Sequence, residues 1–133
     1  MPPIEWRDEF RVHIPEIDQQ HKKLAGLIND FETAFQQGRG SEVLDEIIGE
    51  LIEYSKIHFL TEEKYMAGFA HDLAASHKEG HIRFNEEVCR FIREMKTPSD
   101  ALPGKIIKFL KDWWHIHITS EDRVFKQKKS RIS

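Results

Sequence analysis

Eight histidines occur in this chain of 133 residues, and most of them lie in apolar segments with helical periodicity. Imidazole nitrogens and carboxylate oxygens are common protein ligands of iron, manganese and zinc. His58 and Glu62 are four residues apart, as are His77 and His81. Because this spacing returns a side chain to the same helix face one turn along, each pair could bind one metal ion or two adjacent ions.

The candidate ligands also occupy positions where the helical pattern calls for apolar residues. His21, for example, completes an alternating four–three pattern with Ile17, Leu24 and Ile28. An isolated case would suggest a hydrogen-bonded core histidine. A whole set of buried polar groups would exceed a typical stability of ~5–15 kcal/mol, unless the groups share a cation. The predicted metal ligands are His21, His58, Glu62, His77, His81, His117 and Asp122.

The number and type of these residues narrow the choice of metal ion. Seven ligands are more than one tetrahedral zinc ion needs, and they suit two ions with bridging carboxylates. A set of nitrogen and oxygen donors without thiolate favours iron or manganese. Ferritin-like di-iron sites contain more carboxylates, so this set favours oxygen binding over oxygen activation. Asp122 follows His117 by five residues, which on a regular helix would direct it about 140° away; it therefore requires local unwinding or a π-bulge.

Four segments have the periodicity of amphipathic helices, and none alternates like a β-strand. The sequence therefore predicts an all-α, antiparallel up-down-up-down four-helix bundle with an N-terminal arm, forming one domain over residues 1–133. The apolar row predicted for the core-facing side of the first helix includes Phe35. We expect the arm at 1–17, helices near 18–37, 41–66, 71–95 and 100–119, and a short C-terminal helical segment near 121–128.

Composition sets further expectations. A net charge of −3 without a concentrated basic face argues against nucleic acid as a partner. The chain has no apolar run of ~20 residues, which argues against a membrane partner. The N-terminus has no signal-peptide pattern, and the single cysteine, Cys89, cannot form an internal disulfide; we therefore expect a cytoplasmic protein. Apolar Val88 and Phe91 suggest that Cys89 is buried. No helix has an obvious second apolar stripe, which favours a monomer.

Several motifs resemble the hemerythrin family, in particular its single-domain bacterial branch. They are IDQQH at 17–21, HFLTEE at 58–63, HKEGH at 77–81, and Asp112-Trp113 followed by His117 and Asp122. The resemblance extends over nearly the whole chain. All seven ligand positions of the family contain the expected residue type, and the resemblance is the reason for including Asp122 in the predicted set.

The resemblance implies a centre of two non-haem iron ions with an oxo or hydroxo bridge. His77, His81 and His117 would bind one iron, while His21 and His58 would bind the other and leave it an open position. Glu62 and Asp122 would bridge the two ions.

The function implied is reversible binding of dioxygen, end-on as a hydroperoxide at the five-coordinate iron, in a carrier, store or sensor that is not an enzyme. A di-iron enzyme on the same fold, acting as an oxidase, a peroxidase or a nitric-oxide-handling protein, is the alternative. A bundle with zinc or without metal is a third hypothesis.

The resemblance also suggests the walls of an apolar ligand pocket, namely Leu24, Phe59, Trp113, Trp114 and Ile118. Position 114 is usually aliphatic in the family. The indole of Trp114 would either narrow oxygen access or turn outward and pack against the arm. Gln20 and Tyr65 are candidate hydrogen-bond partners of the ligands.

Overall fold

The computed structural model describes residues 3–67, 71–97 and 99–132, and for 71–74, 76 and 120–132 only the backbone is described. A 3₁₀ turn at Asp8–Phe10 precedes α1 (Pro15–Gln36), α2 (Gly40–Met66), α3 (His71–Glu94) and α4 (Leu102–Ile132). The described residues contain no strand. The prediction of an all-α four-helix bundle is confirmed. Within the described part of the chain, no helix is both long and apolar enough to cross a membrane.

Contacts between α1 and α2 show that the two helices are antiparallel. The Tyr65 hydroxyl donates to Glu16 Oε2 at 3.2 Å, and one turn further along α1 the Gln20 amide donates to the Thr61 hydroxyl at 3.1 Å. Gly38, with φ of +77°, makes the turn between these helices possible because glycine accepts this conformation without strain. Each helix packs against the next along the chain, and α4 returns to pack against α1.

Two helix boundaries differ from the sequence prediction. Helix α1 begins at Pro15 and not near Asp18, because proline suits a first helical turn, where an N–H has no partner. The Asp18 carboxylate instead accepts a hydrogen bond from the backbone N–H of Val12 at 2.8 Å. Helix α4 continues to Ile132, where the sequence predicted an interruption near residue 120. No glycine or proline follows Gly104 in this helix, so nothing in the sequence breaks its backbone.

Apolar side chains from all four helices form the core, but two predicted members lie outside it. Phe35 is 41% exposed, because it lies in the last turn of α1, where its ring packs beside Gly40 and Gly104 at the end of the bundle. Cys89 is also exposed, contrary to expectation. Its neighbours Val88 and Phe91 take the inward positions of α3, and the helical period directs position 89 outward.

The N-terminal arm is held on the bundle by one side chain of α1 and by aromatic packing. Asn29 pairs with both backbone groups of Ile4: its oxygen accepts from the N–H at 2.8 Å and its amide donates to the carbonyl at 2.9 Å. Trp6 and Phe10 pack against Trp114 of α4, with ring centroids 6.3 and 5.2 Å from it. The arm therefore covers the contact between α1 and α4.

A buried ion pair also joins α1 to α4, and the sequence prediction missed it. Lys111 Nζ lies 2.6 and 2.7 Å from the two carboxylate oxygens of Glu32, and both residues are less than 9% exposed. A sequence signal was present, because Lys111 follows Ile107 by four residues and precedes Trp114 by three. The four–three pattern thus places this lysine in the core-facing row of α4.

We predict that Lys111→Met destabilises the protein by about 3–5 kcal/mol, because it leaves the Glu32 carboxylate buried and uncompensated. The double variant Glu32→Leu/Lys111→Met should regain most of this loss, since it removes both charges. Urea unfolding followed by circular dichroism measures both effects. Equal losses in the single and double variants would show that packing of the lysine stem, and not charge compensation, is what matters.

Candidate metal centre

The structure brings six of the seven predicted ligand side chains together inside the bundle. Their possible ligand atoms form two overlapping groups, and within each group all atoms lie within 4.8 Å of one another. Glu62 and His117 belong to both groups. The first group adds His21 and His58, and the second adds His77 and His81. The side chain of Asp122 lies outside the described residues.

The Glu62 carboxylate lies at the centre of this cluster and has no solvent exposure. Its Oε1 atom is 2.8 Å from His58 Nε2, 3.0 Å from His117 Nε2 and 3.3 Å from His81 Nε2. Its Oε2 atom is 3.7 Å from His77 Nε2. Imidazoles from α2, α3 and α4 therefore converge on one carboxylate, which is the arrangement expected of a group shared between two cations.

Burial and neighbouring charges set the protonation of the cluster. Burial lowers the pKa of His117 to about 4, although attraction to Glu62 opposes this shift. Burial, together with the neighbouring His58 and His117, also holds the pKa of His21 well below its usual value. Burial alone would raise the pKa of Glu62, but attraction to His117 and His58, with the hydrogen bond from His117 Nε2, holds it well below its usual value. Near neutral pH Glu62 is thus a carboxylate, and His21 and His117 are neutral imidazoles, the forms that bind metal.

Aromatic rings hold three of the imidazoles in place. Tyr54 stacks on His58 and Trp113 stacks on His117, in each case from one turn earlier on the same helix, with ring centroids 5.2 and 4.2 Å apart. Phe59 of α2 stacks on His81 of α3, with centroids 3.8 Å apart and planes 9° from parallel. The role of Tyr54 was missed from the sequence, although its four-residue spacing from His58 was visible.

Polar side chains lie near the outer nitrogens of two of these rings. His58 Nδ1 is 2.7 Å from Gln20 Oε1, so the predicted contact between Gln20 and the cluster is present. His81 Nδ1 is 3.5 Å from Glu63 Oε1, a neighbour that the sequence analysis did not single out. Tyr65 does not reach the cluster, because its hydroxyl donates to Glu16 at the surface.

The five suggested pocket residues all lie in or against the hydrophobic core. Leu24 and Ile118 are each 1% exposed. Phe59 and Trp113 form the stacks on His81 and His117. A groove of about 190 Å³ between α2 and α3 is lined in part by Phe59 and His81, and so connects the surface to the edge of the cluster.

Trp114 packs against the arm but is fully buried, not turned outward. Its ring meets Phe10 and Trp6 edge-on, and its Nε1 donates a hydrogen bond to the backbone carbonyl of His21 at 3.0 Å. The bulky side chain at position 114 thus fills the space between arm, α1 and α4. It also fixes the main chain that carries one of the candidate ligands.

The donor set fits a metal centre. Two groups of ligand atoms share a carboxylate, and each group is compact enough to surround one cation. Histidine and carboxylate donors without thiolate suit iron, manganese or zinc. Because the cluster brings several imidazoles to one buried carboxylate, bound cations would compensate the lone pairs that hydrogen bonds among these groups cannot satisfy.

A four-helix bundle with histidine and carboxylate donors at its centre defines the class of helical-bundle metal-binding proteins. Comparison with known proteins gives the family. The family model described as hemerythrin HHE cation binding domain matches residues 12–128. This chain belongs to the hemerythrin family.

Relatives from bacteria and a eukaryote resemble the chain over most of its length. It is 32% identical to a bacteriohemerythrin of Clostridium acetobutylicum over 125 residues, covering 90% of this chain and 96% of the relative. A bacteriohemerythrin of Pseudomonas aeruginosa is 31% identical over 118 residues, covering 88% and 75%. A hemerythrin-like protein of Naegleria gruberi is 33% identical over 124 residues, covering 93% and 92%.

The pKa shifts predict that the metal-free protein loses stability on acidification. Between pH 6.5 and about 4, His117 is protonated in the unfolded chain but not in the folded protein. The free energy of unfolding therefore falls as the pH falls. This one group contributes at most about 1.4 kcal/mol per pH unit. The contribution of Glu62 has the same sign, because it is present above pH 4.5 and is lost as the pH falls towards the lowered pKa.

Urea unfolding at a series of pH values, with a chelator present, measures this dependence. The variant His117→Gln should reduce the slope between pH 6.5 and 4, whereas the exposed His115→Gln on the same helix should not. A stability that stays constant over this range in the wild-type protein would contradict the predicted protonation states.

Proposed function

We propose that this protein binds dioxygen reversibly at a centre of two non-haem iron ions. The observation that carries the proposal is the pair of overlapping ligand groups that share Glu62 and His117. Iron, and not another metal, is favoured by the histidine-rich donor set together with relatives that are named bacteriohemerythrin.

The residues divide unequally between the two proposed metal positions. His77 and His81, with His117, would hold one ion, and His21 with His58 would hold the other. Glu62 would bridge them, with Asp122 as the second bridge. The position with fewer imidazoles would leave a coordination site for a small ligand. When bound, the iron pair supplies the electrons and the open coordination position that dioxygen binding requires.

The surroundings favour binding over turnover. His21, His58 and Glu62 have no solvent exposure, and stacked rings of Phe59 and Trp113 cover His81 and His117. Such packing limits the access of water to the cluster. A carrier, store or sensor of dioxygen is therefore the function that we favour over an oxidase, a peroxidase or a nitric-oxide-handling enzyme.

We predict that the protein reduced under anaerobic conditions develops a visible absorption band when air is admitted, and loses it again under vacuum. Iron analysis should give two ions per chain. The protein reconstituted with zinc is the control, because zinc has no redox chemistry and should give no band. Rapid, irreversible oxidation of the iron, or sustained turnover of peroxide or nitric oxide, would instead support the enzymatic alternative.

A second prediction concerns the ligand set. His117→Gln should lower the bound iron to one ion per chain or fewer, because His117 is close enough to contact both metal positions. His115→Gln provides a matched control: it removes an exposed imidazole two residues away and should retain two ions. Equal iron contents in the two variants would remove His117 from the proposed ligand set.

A further inference from the structure

A chain of three hydrogen bonds connects His58 to the backbone of α2 through Gln20 of α1. The Thr61 hydroxyl is 2.8 Å from the carbonyl oxygen of Ile57, one turn earlier on α2. The Gln20 amide nitrogen is 3.1 Å from the same hydroxyl, and the Gln20 amide oxygen is 2.7 Å from His58 Nδ1.

The direction of every bond in this chain is determined at its backbone end. A carbonyl oxygen can only accept, so the single hydroxyl hydrogen of Thr61 is donated to Ile57. The Thr61 oxygen must then accept from the amide nitrogen of Gln20, which turns the Gln20 oxygen toward His58. Because that oxygen also only accepts, His58 Nδ1 carries a hydrogen. In a neutral imidazole the other nitrogen, Nε2, then has a lone pair.

We propose that Gln20 and Thr61 are positioning residues that fix His58 in the tautomer able to bind metal through Nε2. The inference rests on the proposed function, since His58 is a proposed ligand. It adds that the tautomer is set before any metal arrives, by groups that do not touch the metal.

The alternative tautomer shows why such a device matters. With its hydrogen on Nε2, His58 would donate to Glu62 Oε1, which is only 2.8 Å away. The buried carboxylate would then be satisfied by its own neighbour, and a metal ion would have to displace this hydrogen bond. With the hydrogen fixed on Nδ1, the Nε2 lone pair of His58 faces the cluster and accepts from His117 Nε2 at 3.1 Å, which also donates to Glu62 Oε1 at 3.0 Å.

Tyr54 holds both Gln20 and His58 in position for the chain of hydrogen bonds. Its hydroxyl donates to the backbone carbonyl of Gln20 at 2.7 Å, and its ring stacks on His58. The main chain of Gln20 and the plane of the imidazole are thus held by one residue of α2. The Gln20 side chain has little freedom to turn away from either Thr61 or His58.

Nitrogen-15 NMR of the metal-free protein tests the tautomer directly, because a ring nitrogen with a hydrogen and one with a lone pair have well-separated shifts. We expect His58 Nε2 without a hydrogen in the wild-type protein and in Thr61→Ser, which keeps the hydroxyl. Thr61→Val removes the hydroxyl that orients the Gln20 amide, and Gln20→Met removes the oxygen that accepts from His58 Nδ1. Both variants should shift His58 towards the Nε2–H form. Hydrogen on Nε2 in the wild-type protein would overturn the proposal.

Anaerobic titration with ferrous iron against a competing chelator provides the second measurement. Thr61→Val should bind iron about 10- to 100-fold more weakly than Thr61→Ser, a loss typical for a hydrogen-bond partner of a metal ligand. Circular dichroism checks that both variants are folded. Equal affinities in the two variants would contradict the proposal. If the wild-type protein fails to bind iron, the proposed function fails, and the NMR result on metal-free protein still decides the tautomer.

Discussion

A carboxylate without solvent exposure is the constraint on which this structure depends. An ionised group in an apolar interior is tolerated only where its neighbours compensate it, and the neighbours of Glu62 Oε1 are imidazoles of three helices within 3.3 Å. The relative positions of α2, α3 and α4 are therefore coupled to one side chain. The candidate site occupies the centre of the core, and the helices pack around it.

The bundle contains a second buried carboxylate, that of Glu32. Its neighbours differ from those of Glu62, and this difference explains why only Glu62 belongs to a candidate metal site. Glu32 receives both of its close contacts from Lys111, an ammonium group that has donors and no lone pair to offer a metal. That pair compensates itself. Glu62 is surrounded by imidazole rings, whose nitrogens can offer lone pairs to a metal ion. Burial is similar in the two cases, and the chemistry of the neighbours differs.

The sequence predicted the helices and the convergence of six polar side chains because both follow from periodicity. A histidine in a row of apolar residues faces inward with that row, whatever it binds. Properties that depend on contacts between elements could not be obtained in this way. The interior position of Trp114 depends on the arm, which has no regular period, and the exposure of Phe35 depends on where the bundle ends. The pairing of Glu32 with Lys111 links rows on two helices, and neither row reveals its partner.

The stacked rings beside His58, His81 and His117 have a consequence for the kinetics and affinity of metal binding. A side chain that is ordered only when it binds loses about 0.5–1.5 kcal/mol of conformational entropy at that moment. Here Tyr54, Phe59 and Trp113 restrict the imidazole planes through contacts within the protein itself. The ordering therefore accompanies folding of the chain, and the cluster is preorganised. When an ion dissociates, these contacts still hold the imidazole rings, so that the next ion can bind to the same geometry without a conformational search.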